Sequence, residues 1–110
     1  MTRARGAELG ALVAEAAGSM GLVATQGPDG LTYSVGDTVV LVVAGATAEF
    51  RLRADVAAAA ARTPDAAPSP RGAEWVAFTP GTFDRFTTDR INAWILFAAR
   101  EAGRQVSSDG

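Results

Sequence analysis

The chain has 110 residues, enough for one domain with a modest core, and carries a formal charge of −2 from 10 basic and 12 acidic residues. It contains no cysteine, histidine or lysine, so every basic residue is an arginine. That inventory excludes disulfide frameworks, thiolate nucleophiles, Cys/His zinc sites, imidazole bases, Schiff-base lysines and the lysine of a Walker-type phosphate loop.

Residues 2–18 read as an amphipathic helix. Leu9, Leu12, Val13, Ala16 and Met20 recur at helical spacing, with Glu8 and Glu15 on the other side. Thr2 is its expected cap, and Gly18 and Gly21 its expected stop. A β-rich stretch follows, with strands expected at 21–26, 31–35, 38–44 and 48–53. The turns between them are Gly27-Pro28-Asp29-Gly30, Gly36-Asp37 and Gly45-Ala46-Thr47. Connections this short force antiparallel neighbours, hence a meander. Residues 38–44 (TVVLVVA) are apolar on both faces. Helices cover one face, so the other calls for the C-terminal segment or a second subunit.

Residues 54–62 predict an alanine-rich helix ended by Thr63-Pro64. Residues 64–72 read as a proline-stiffened loop, and 74–79 (EWVAFT) as a fifth strand. Thr79-Pro80 is expected to open a short helical turn holding Phe83 and Phe86. A longer helix is then expected from Thr87 or Thr88. Its inward stripe is Ile91, Trp94, Ile95, Ala98 and Ala102, and Gly103 its stop. Residues 106–110 are expected to be a frayed tail behind a single domain at 1–105. The predicted fold is α+β: an N-terminal helix and an antiparallel meander of about five strands, with the helices on one face.

From residue 49 to 100, the run EFRLRADVAAAAART, a Pro-rich loop, RGAEWVAFTP and a closing amphipathic helix resemble MmcQ/YjbR-like domains. The layout is also similar to that of the TfoX N-terminal domain. The resemblance rests on element order and on the Trp75-Val76 pair, and the chain lacks a Gly-Lys-Phe-like strand start. It implies a small bacterial α+β domain of a kind labelled DNA-binding.

The residues expected to contact nucleic acid are Arg51, Arg53, Arg62, Arg71 and Trp75, as a cluster of bidentate arginines beside one stacking aromatic. Glu49, Asp55, Asp65 and Glu74 lie among them and blunt their field. Asp84-Arg85 and Asp89-Arg90 read as helix-surface charges, with Arg85 and Asp89 spaced to pair. The other aromatics of the last third are expected to be core. No catalytic residue, metal ligand or cofactor is assigned. The expected function is a non-enzymatic binding or interaction module contacting nucleic acid or protein. The alternatives are a small-ligand or lipid-type pocket and a homodimeric scaffold joined through the face of strand 38–44. The acidic chain, with no long apolar run and no leader pattern, reads as cytoplasmic and away from membranes.

Overall fold

The computed structural model describes residues 2–28 and 30–109, with side chains over 7–28 and 30–103. Its order is α1 (Thr2–Ser19), β1 (Val23–Gly27), β2 (Gly30–Val35), β3 (Thr38–Ala44), β4 (Thr47–Arg51), α2 (Ala54–Ala60), β5 (Ala66–Pro68), β6 (Trp75–Phe78) and α3 (Arg85–Asp109). The fold is α+β, as the spacing of apolar residues and turns predicts. The strands form one antiparallel sheet in the order β1-β2-β3-β4-β6-β5.

α1 buries Leu9, Val13, Ala16 and Ala17 and ends in a Schellman motif. Leu22 N–H donates to the Ala17 carbonyl at 3.0 Å and Gly21 N–H to the Gly18 carbonyl at 3.1 Å, with Gly21 at φ +76°. Gly21 therefore stops the helix, while Gly18 remains within it. The expected cap Thr2 has its side chain outside the described residues, as Asp29 of the first turn lies outside them entirely.

One core joins the three helices to the sheet. Cross-strand pairs Tyr33–Leu41, Leu41–Phe50, Phe50–Val76 and Ala48–Phe78 form its floor, and Ile91, Ile95, Ala98 and Ala102 of α3 close over it. Trp94 packs edge-on against both Phe50 and Phe78, at centroid separations of 5.4 and 5.2 Å.

Four expectations change. A sixth strand, β5, lies inside the expected proline loop. It pairs outside β6, and Asp65 admits it by adopting φ 66°, with its carbonyl taking the Thr79 N–H at 2.9 Å. No helical turn follows Pro80. Residues 79–84 run as a loop, and α3 starts once, at Arg85. Asp84 is its cap, its carboxylate accepting the Thr87 N–H at 3.0 Å. α3 also passes through Gly103, its expected stop, and runs to Asp109. Finally, the register of β2 on β3 shifts between Tyr33 and Ser34, so Val40 is an extra residue. Val40 and Leu41 both join the core, whereas Val42 is buried outside it and Val39 is exposed. The bulge thus removes Val40 from the second face, which the alternation of an unbroken strand had assigned to it.

Candidate binding groove and the arginine pairs

The five candidate residues separate into two places. Arg51, at the end of β4, and Arg53, just before α2, share a small polar cleft of about 80 Å³ with Glu74 and Glu101. Both arginines are held there by carboxylates. Arg51 Nη2 lies 3.3 Å from Glu74 Oε1. Arg53 grips Asp55 in a two-pronged contact at 2.8 and 3.1 Å. Hydrogen bonds from Arg53 lower the Asp55 pKa below its ordinary value, and the same contact raises that of Arg53.

Arg71 is engaged as well. Its Nε donates to Glu49 Oε1 at 2.8 Å, and its guanidinium lies over the Trp75 ring, 5.6 Å from the centroid. Glu49 is fixed from its other oxygen by the Ser69 hydroxyl, which in turn accepts the Arg71 N–H at 3.1 Å. This cluster ties β4 to the segment between β5 and β6. Asp65, the fourth acid among the arginines, binds the Gly81 N–H at 3.1 Å instead of a cation. Three of the four candidate arginines are therefore neutralised by adjacent carboxylates, which lowers the local potential toward phosphate.

Arg62 differs. Among the described residues its side chain makes no ion pair or hydrogen bond. It stands on the wall of an open groove of about 400 Å³ between α2 and the segment leading into β6. Ala54, Ala57, Ala58 and Ala61 line one side, and Pro68, Ala73 and the half-buried Trp75 the other. The groove is open because α2 presents only methyl groups toward Trp75. Gly72, at φ +143°, lets the chain bend into β6, and a Cβ added there would lie 4.0 Å from Trp75 Cδ1.

The last third holds a further staple. Arg90 donates to the Pro64 carbonyl at 2.6 Å and to Thr63 Oγ1 at 3.2 Å. Its guanidinium lies over Phe78, 4.5 Å from the ring centroid. It fastens the end of α2 to α3. Arg85 and Asp89, spaced to pair, form no ion pair among the described residues. Phe86 is 74% exposed, contrary to its expected core position, because α3 starts one residue before it and turns it outward.

Among the described residues, no group of three His, Cys, Asp or Glu could hold a metal ion, and no helix is long and apolar enough to cross a membrane. Compared with models of protein families, with curated proteins and with solved structures, the chain matches none.

Proposed function

We propose that this domain is a non-enzymatic binding module that takes a small apolar anion in the groove between α2 and β6. One contrast carries the assignment. Three candidate arginines are saturated by carboxylates, while the fourth, Arg62, on the wall of an apolar groove, has no ion-pair partner among the described residues. The volume falls in the range of small-molecule sites, and a largely apolar lining with one convergent charge is their usual chemistry. The alanine methyls and the Trp75 ring supply contact for a planar or aliphatic body. The guanidinium supplies a two-pronged donor for a carboxylate, sulfonate or phosphate. Absence of a catalytic role accords with the residue inventory, in which Ser, Thr, Tyr, Asp and Glu are the available acids and nucleophiles. A nucleic-acid role, implied by the MmcQ/YjbR-like resemblance, has less support because three of its four expected arginine contacts are internally paired.

Two fluorescent probes test the assignment. Anilinonaphthalenesulfonate and the neutral N-phenylnaphthylamine share one aromatic body and differ in the sulfonate. With about 20 non-hydrogen atoms at about −0.3 kcal/mol each, the anion should bind with Kd in the tens of micromolar. The neutral probe should bind about tenfold more weakly, and R62A should abolish that difference. Ala58→Trp, which fills the groove, should weaken both. Probe binding that A58W leaves unchanged would overturn the assignment.

A further inference from the structure

The two edges of the sheet are built differently. The β5 edge is three residues long and carries Pro68, both of which discourage a further strand. The β1 edge is five residues long, reads VATQG, and has neither charge nor proline within it. Val23 to Gln26 are all exposed, so no described residue covers this edge.

The hydrogen-bond phase of β1 follows from its hairpin. Gly27 and Gly30 face each other across two turn residues and so form a hydrogen-bonded pair. Alternation makes Thr25–Thr32 and Val23–Ser34 hydrogen-bonded pairs too. The Thr32 hydroxyl, donating to the Thr25 carbonyl at 3.0 Å, agrees in showing that carbonyl turned toward β2. The backbone groups of Ala24 and Gln26 therefore point out of the sheet. Two such strands are self-complementary. A two-fold axis through Thr25 sets Ala24 of each copy against Gln26 of the other, giving four backbone hydrogen bonds with Thr25 opposite Thr25.

We infer that β1 is a homodimer interface, in which two copies pair their β1 strands antiparallel and join two six-stranded sheets into one of twelve. A second copy is the occupant because the register closes on itself with every outward group matched. An isologous contact of this kind ends at two subunits.

A charge swap tests it, read by sedimentation velocity of the full chain. Thr25 is exposed and makes its β2 contacts through its backbone, so T25K and T25E should both fold. The wild-type chain should dimerise. Each variant alone should be at least tenfold weaker, since like charges oppose across the axis. An equimolar mixture should restore the dimer as a heterodimer. Ala24→Pro removes an outward N–H and leaves the β2 ladder intact, and it should also yield monomer. A monomeric wild type at millimolar concentration, a dimer that T25K leaves unchanged, or a mixture that stays monomeric would each overturn the inference.

Discussion

Replacing Trp94 by alanine removes the side chain that joins α3 to the centre of the sheet. In the native structure the indole meets Phe50 and Phe78 edge-on and lies under the Arg90 guanidinium at 5.9 Å. Each aromatic pair contributes about 0.5–1.5 kcal/mol beyond area burial, and truncations of this size cost about 3–5 kcal/mol. Unfolding entropy of about 2.1 cal/mol/K per residue gives this chain about 0.23 kcal/mol/K, so the Tm should fall by about 13–22 °C. That loss approaches the whole stability of a marginal domain. Differential scanning calorimetry of wild type, W94A and W94F measures it. W94F keeps a ring edge toward both phenylalanines and should recover about half the loss. A W94A Tm within 3 °C of wild type would refute this account of the core.

Other residues give separate tests. G30A should cost about 2–4 kcal/mol: a Cβ there would sit 2.3 Å from the Val43 carbonyl oxygen at φ +139°, and an unchanged denaturant midpoint would contradict it. The Thr87 N–H holds the Asp84 carboxyl below its usual range, so its contribution is present above the unfolded carboxyl pKa and disappears as pH falls through the folded value. D84N should therefore lower the Tm near neutrality and converge with wild type in strong acid, whereas a pH-independent difference would exclude this origin. With one candidate arginine unpaired among the described residues, duplex DNA should show no sub-micromolar affinity at physiological salt. Its log–log salt slope should be near −0.9 rather than the roughly −3.6 of four phosphate contacts, and tight, salt-resistant binding would reverse this view.

The architecture was readable where local chemistry decides it. Turn glycines at 36 and 45 adopt the positive φ their hairpins need, and the stripe from Ile91 to Ala102 faces the core as its spacing predicts. Features set by distant pairing were not. β5 is a three-residue strand in a proline-rich segment, held by β6 and by the left-handed Asp65, neither of which marks a strand locally. The Val40 bulge depends on register against β2, and an alternation count assumes an unbroken strand.

The candidate site divides the same way. Arg53 and Asp55 are two residues apart, so their pairing was visible in the sequence. Arg51–Glu74 and Arg71–Glu49 are separated by 23 and 22 residues and meet because β4 lies beside β6. Composition shows acids among arginines but not which arginine is left over. The groove was hidden for a related reason. It exists where α2 lies along β5 and β6, and β5 was not expected.

The most direct test of the binding assignment is where a ligand lands. Amide chemical shifts of the ¹⁵N-labelled chain, followed during titration with anilinonaphthalenesulfonate, report this residue by residue. Shifts should concentrate on Ala54 to Arg62 and on Gly72 to Trp75, saturate with one Kd, and fade in R62A. Shifts confined to the Arg51–Arg53 cleft or to the Val23 and Val39 surface, with α2 silent, would contradict the assignment.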